Sequence, residues 1–214
     1  LDEPLSNLDA KLRAAMRTEL IKLHQRVGTT FIYVTYDQVE AMTMATRIIV
    51  MKDGLIQQVD TPQNLYDYPC NLFVAGFIGT PQMNFINGIL EAKGEDVFFK
   101  FEDKSVKLPA DKANNPAIKD YIGKEVILGI RPECIHDEPV HLSTFRDSVI
   151  DAYVDVTELM GAEIYLYLKV GEETSLISRV SARSTSRAGD TIKVAFDMSR
   201  IHLFDKDTER FILH

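Results

Sequence analysis

Near Thr80 the period of the apolar residues changes, and this change limits the folds open to the chain more than any other feature of its sequence. Before it, Leu12, Met16, Leu20, Leu23 and Val27 recur at steps of four and three, the spacing of a helix with one apolar face. After it, Ala152-Val154-Val156 and Ile164-Leu166-Leu168-Val170 alternate, the spacing of strands with one buried face. Gly79-Thr80-Pro81 interrupts the chain between the two regimes, so two domains are expected, 1–80 and 81–214.

The first region reads as an α/β unit. Asp9 is a natural N-cap for the periodic segment and Gly28 its stop. Phe31-Ile32-Tyr33-Val34 then predicts a short buried strand over Thr30 to Val34, because aromatic and β-branched residues suit a pleated surface. Asp37 caps a second helix through Ala45, and the runs Arg47 to Met51 and Leu55 to Val59 around Lys52-Asp53-Gly54 predict a hairpin. Thr61-Pro62 opens another helix, with proline at its first position, and Leu72 to Phe77 is expected to form one more.

The second region is mainly β, with further strands expected around Ile89, Phe98, Ile127, Leu176, Val194 and Leu203. Turns at Lys93-Gly94-Glu95, Val170-Gly171-Glu172 and Ala188-Gly189-Asp190 separate short strands, a pattern that suggests a small barrel, where closure removes exposed sheet edges. There is no internal repeat.

Composition narrows the functional classes. With 214 residues, 45% of them hydrophobic, the chain can bury a sizeable core. Its net charge of −8, without a Lys/Arg cluster, argues against a nucleic-acid partner, since phosphate binding needs a basic face. Cys70 and Cys134 have neither metal nor redox spacing and fit a reducing compartment, the cytoplasm by default. No stretch approaches the ~20 apolar residues that span a bilayer. The opening Leu1-Asp2-Glu3-Pro4, without an initiator Met, leads us to expect a chain that starts inside a fold.

Hydrolysis of a nucleoside triphosphate needs a carboxylate to hold magnesium and a group to orient the attacking water. Adjacent carboxylates such as Asp2-Glu3 are, taken alone, usually just solvated. Their context is more specific: Leu1-Asp2-Glu3-Pro4-Leu5-Ser6-Asn7-Leu8-Asp9 resembles, without a mismatch, the Walker B strand end and the following D-loop of ABC-transporter ATPases. The resemblance implies that Asp2 holds magnesium through water, that Glu3 is the general base and that Ser6 to Asp9 meets the opposite subunit's nucleotide. Asp9 thus has an implied nucleotide role beside its capping role.

Val34-Thr35-Tyr36-Asp37-Gln38-Val39-Glu40-Ala41-Met42 resembles the switch-histidine segment of the same family, with Tyr36 at the histidine position. A phenol with a pKa near 10 can donate a hydrogen bond but does not exchange protons near neutral pH as imidazole does, so hydrolysis is expected to suffer. The family's glycine-rich phosphate loop and its Ser-Gly-Gly signature are not found in this sequence, and the only Gly-Lys pair, Gly123-Lys124, reads as a turn. This chain alone is therefore not expected to turn over ATP.

Asp53-Gly54, Gln58, Asp60-Thr61-Pro62, Leu65-Tyr66, Pro69, Phe73-Val74-Ala75, Phe77-Ile78-Gly79 and Met83-Asn84-Phe85 resemble the join between ATPase and regulatory domains in sugar-importer subunits of the maltose, multiple-sugar and glycerol-phosphate type. Leu128-Gly129-Ile130-Arg131-Pro132-Glu133, Glu158-Leu159-Met160-Gly161 and Ala188-Gly189-Asp190 resemble the OB-type (TOBE-like) barrel that follows. The implied architecture is an α/β remnant of a P-loop ATPase domain followed by an OB-fold-like regulatory barrel.

The resemblance also implies ATP and magnesium as cofactors and a homodimer on the cytoplasmic face of a membrane. Permease subunits are the implied direct partners, and an extracytoplasmic substrate-binding protein an indirect one. Polyamine import and a purely regulatory or dimerising module are the alternatives. Arg131 and Glu133 read as a solvated strand end. No pair among histidines 24, 136, 141, 202 and 214 reads as having the i,i+4 or His-x-Glu context of a metal site, so magnesium brought by the nucleotide is the only metal expected.

Overall fold

A computed structural model describes residues 1–214, and the chain packs as two compact units, Leu1–Tyr68 and Pro69–His214. The first holds α1 (Ala10–Val27), α2 (Gln38–Met44), the hairpin of β1 (Ile48–Lys52) and β2 (Leu55–Asp60), and α3 (Pro62–Asp67). Its local signals are those of the sequence. The Asp9 carboxylate accepts from the Leu12 amide, and Gly28, at φ 67°, closes α1 with its own amide on the His24 carbonyl. Asp37 accepts from the amides of Val39 and Glu40 to start α2, and Thr61 accepts from the Asn64 amide to start α3. Asp53 (φ 51°) and Gly54 (φ 77°) form the two-residue turn of the hairpin, where left-handed backbone matches the twist of the strands.

Two expectations for this unit need correction. The segment Thr30 to Val34 is not a buried strand: it pairs with Leu1-Asp2-Glu3 alone, through one parallel bridge between Asp2 and Val34, and Ile32 is 79% exposed. With no second neighbour, its β-branched residues have no sheet to pack in. The apolar stripe of α1 is also uncovered; Leu12, Met16, Leu23 and Val27 all face solvent. The unit buries Leu5, Val50 and Leu65 as its apolar interior.

The second unit begins with α4 (Leu72–Phe77) and continues through β3 (Asn84–Lys93), β4 (Asp96–Phe101), β5 (Lys104–Lys107), α5 (Ala110–Ala113), β6 (Glu125–Ile130), β7 (Ile135–His136) and α6 (Pro139–Thr144). It ends with β8 (Val149–Leu159), β9 (Glu163–Lys169), β10 (Ser175–Ser181), β11 (Thr191–Phe196), β12 (His202–Asp205) and β13 (Phe211–Leu213). All pairings in its two sheets are antiparallel, in the orders β13-β12-β6-β3-β4-β5 and β10-β9-β8-β11-β7. One core joins them, with Phe99, Leu128 and Leu203 from the first and Leu166, Leu176 and Phe196 from the second. This is the expected mainly β, barrel-like half.

The alternation holds where strands pack on one side and fails where they do not. In β9, Ile164, Leu166 and Leu168 are buried as predicted. Val156 is exposed instead, because β8 shifts register between Val154 and Val156 and the extra residue reverses which side faces the core. Every residue of β6 after Glu125 is buried: Val126, Leu128 and Ile130 face the shared core, while Ile127 lies in a second cluster with Ala75 of α4, Met83 and Phe204. The helix covers the outer face of β6, so the chain divides by packing at Tyr68, ahead of the change of pattern near Thr80.

Arg131 departs from its reading as a solvated strand end. It is 2% exposed, and its guanidinium donates to the carbonyls of Ala75 (3.2 Å) and Ile78 at the C-terminal end of α4. Those carbonyls lie where the helix leaves acceptors unmatched, which explains a buried cation there. Glu133 is half-buried and pairs with Arg179 at 3.8 Å.

Candidate functional site

The candidate site lies in the first unit, and backbone pairing builds it. Leu1 donates to the Ile32 carbonyl (2.8 Å), Val34 to the Leu1 carbonyl (2.9 Å) and Glu3 to the Val34 carbonyl (2.9 Å). This short parallel ladder sets Asp2 and Glu3 beside the segment that turns at Tyr36 into α2. Both carboxylates are exposed, and Tyr36 is 83% exposed.

Glu3 has a φ of 40°, in the left-handed region that non-glycine residues seldom occupy. It is held there from both sides. Its amide is engaged by Val34, and its carbonyl accepts from the Ser6 amide (3.2 Å) and the Ser6 hydroxyl (2.9 Å). Strained backbone of this kind collects at functional positions, where the surroundings enforce it.

Arg13 ties the loop that follows to the start of α2. Its guanidinium donates to the Leu8 carbonyl at 3.0 Å and pairs with the Asp37 carboxylate at 3.4 Å. Asp9 caps α1, as its local sequence requires. Behind the ladder, the buried Glu40 accepts from the hydroxyls of Tyr33 (2.9 Å) and Thr35 (2.8 Å). Burial and this carboxylate together push the Tyr33 phenol well above its ordinary pKa. Thr35 in turn accepts from the Asp37 amide, so Tyr36 sits between two anchored neighbours.

As a donor set, Asp2 and Glu3 offer hard carboxylate oxygens open to solvent. This suits magnesium, which prefers oxygen ligands and keeps several of its waters.

One group of chemistry-bearing residues escaped the sequence reading. In the second unit His136, Glu138 and His141 place one ligating atom each within 4.8 Å of one another. Burial, then the neighbouring His141, lowers the His136 pKa. The signal was present as His136-Asp137-Glu138, a His-x-Glu spacing, so the expectation that no histidine has that context is wrong.

The MalK OB fold domain family matches residues 79–135 and the TOBE domain family residues 128–204. The oligosaccharides import ATP-binding protein MsmX of Bacillus subtilis (strain 168) is 52% identical over 209 residues, 98% of this chain and 56% of that protein. The trehalose/maltose import ATP-binding protein MalK of Thermococcus litoralis is 46% identical over 213 residues, 99% of this chain and 56% of that protein. The uncharacterized ABC transporter ATP-binding protein YurJ of Bacillus subtilis is 46% identical over 212 residues, 99% of this chain and 57% of that protein. The chain thus spans about half the length of the curated relatives it matches. Beyond its carboxylate pair at the end of a parallel ladder, the chain carries the MalK-type OB fold and TOBE domains, and over nearly all of its own length it is similar to the ATP-binding proteins of ABC transporters.

Proposed function

We propose that this chain works as part of an ATP-hydrolysing subunit that energises import of a sugar, either a saccharide or a glycerol phosphate, through a membrane ABC transporter. The observation that carries the reading is the ladder between Leu1-Asp2-Glu3 and Ile32 to Val34, which brings the acidic pair alongside the turn at Tyr36. MsmX and MalK are named for oligosaccharide and for trehalose/maltose import, which supports sugar as the cargo class.

In this reading Asp2 would hold magnesium through water, and the bound ion would supply positive charge against the ATP phosphates. Glu3, fixed at its strained φ, orients the attacking water and accepts its proton. Ser6 to Asp9 faces the nucleotide of a second subunit, with Arg13 holding the loop's carbonyls in place. Tyr36 donates a hydrogen bond near the transferred phosphate.

Two subunits pair beneath permease subunits on the cytoplasmic face of the membrane, and a substrate-binding protein delivers the cargo from outside. No helix of this chain is long and apolar enough to cross a membrane. The second unit acts as the regulatory and pairing module. The exposed apolar stripe of α1 supports the first unit's being part of a larger ATPase domain, since such a stripe needs a partner surface. Without a phosphate loop and signature motif, the 214-residue chain by itself does not turn over ATP.

The deciding experiment is magnesium-ATP turnover by the full-length protein and its Glu3→Gln variant. Turnover should vanish in the variant while nucleotide binding persists. Unchanged turnover would remove Glu3 from the role of general base.

A further inference from the structure

The end of β7 and the start of α6 converge two imidazoles on one carboxylate. His136 and Glu138 are two residues apart on extended backbone and so project to the same side. His141 lies three residues on in the first turn of α6, which returns it to Glu138; its own amide bonds the Glu138 carbonyl at 3.0 Å. The Glu138 Oε2 atom is 3.3 Å from His141 Nδ1 and 4.0 Å from His136 Nδ1, and the two rings stack with centroids 4.0 Å apart.

We propose that His136, Glu138 and His141 form a binding site for one divalent transition-metal cation, zinc by preference, with a fourth position left to water. Two nitrogens and one carboxylate oxygen are the donor types zinc selects, and bonds of about 2.0–2.1 Å in a tetrahedron set ligand atoms roughly 3.3 Å apart. Of the three ligand pairs, His141 and Glu138 already have that spacing, and the ligating atoms of the two imidazoles lie within 4.8 Å of each other and close on it by small rotations of the rings. His136 and Glu138 need to close by about 0.7 Å, within reach of the soft terminal torsion of a glutamate.

The scaffold is held independently of any ion. Asp137, between the first two ligands, accepts from the hydroxyls of Ser184 and of Ser186 (2.8 Å), and Pro139 fixes the backbone directly after Glu138. Phe145 lies parallel to both imidazoles, its ring centroid 5.9 Å from that of His136 and 6.1 Å from that of His141. The three ligand side chains remain 19%, 33% and 39% exposed, so an ion has a path in.

The test is titration of the chelator-treated 214-residue chain with zinc by calorimetry and with cobalt by visible absorption. We expect one ion per chain and the intense visible bands of tetrahedral cobalt. Affinity should fall at least tenfold in Glu138→Gln and again in His141→Ala, while His24→Ala, on α1, leaves it unchanged. Both ligand variants alter partly exposed side chains, and circular dichroism checks that they remain folded. Absence of binding by the folded parent, or binding undiminished in folded Glu138→Gln, would overturn the proposal.

Discussion

The buried guanidinium of Arg131 lies 3.2 Å from the carbonyl oxygen of Ala75, fastening the C-terminal end of α4 to the strand end beneath it. Replacing Arg131 with Met keeps the apolar stem and removes the donors, leaving the carbonyls of Ala75 and Ile78 without that partner. Buried acceptors stripped of a partner cost about 1–3 kcal/mol each, so Arg131→Met should lose about 3 kcal/mol. Urea unfolding of the chain reads this as a lower midpoint; an unchanged midpoint would mean that water satisfies these carbonyls.

His202 and His214 face each other with their Nδ1 atoms 2.9 Å apart, so one ring donates and the other accepts. Burial, followed by the charge of His214 and by Arg131, Lys112 and Arg200, lowers the His202 pKa to about 3; burial and then Lys112 lower that of His214 to about 4. Both lie below the ordinary 6.5, so in acid the unfolded chain binds protons that the folded chain resists. Stability is full above pH 6.5 and is lost as the pH falls through about 4 toward about 3. Urea midpoints measured from pH 7 to pH 4 should drop more steeply for the parent than for His214→Leu; parallel curves would refute the coupling.

Gly88 of β3 is fixed by close approach. A Cβ there would stand 2.4 Å from the Phe99 ring and 2.5 Å from the Lys100 carbonyl oxygen, and the backbone atom has nowhere to yield. Gly88→Ala should cost about 2 kcal/mol or more as overpacking, which for a chain of this size lowers the melting temperature by several degrees. Gly94→Ala, at a turn with open space around it, serves as the control and should lose about 1 kcal/mol from its positive φ. Equal melting temperatures for the two variants would contradict the steric account.

At the candidate nucleotide site, Tyr36→His restores a group that exchanges protons near neutral pH. Tyr36 is exposed, so the change leaves packing alone. ATP turnover by the full-length protein should rise severalfold, and the gain should follow the titration of the new imidazole. No gain would place Tyr36 outside the chemistry.

Much of this fold is legible because its signals are local. Asp9, Asp37 and Thr61 cap their helices wherever the rest of the chain lies, and Asp53-Gly54 turns by its own backbone preference. What the sequence hides is set by partners distant along the chain. Phe31 to Val34 has strand composition but meets only Leu1-Asp2-Glu3; Val156 has the right parity until the shift in β8 reverses it. Arg131 looks like a surface charge because its acceptors are more than fifty residues away. At the site, the spacing of Asp2-Glu3 before the Tyr36 segment is readable as a motif, whereas the left-handed φ of Glu3 depends on Val34 and Ser6 together.

The position of β6 has a consequence for synthesis. It lies between β3, made shortly before it, and β12, whose His202 pairs with Gly129. A ribosome adding 5–20 residues per second needs roughly 4–15 s to supply the roughly seventy intervening residues. For that interval the open edge of β6 waits for its second neighbour, so the six-stranded sheet cannot close until β12 has been made.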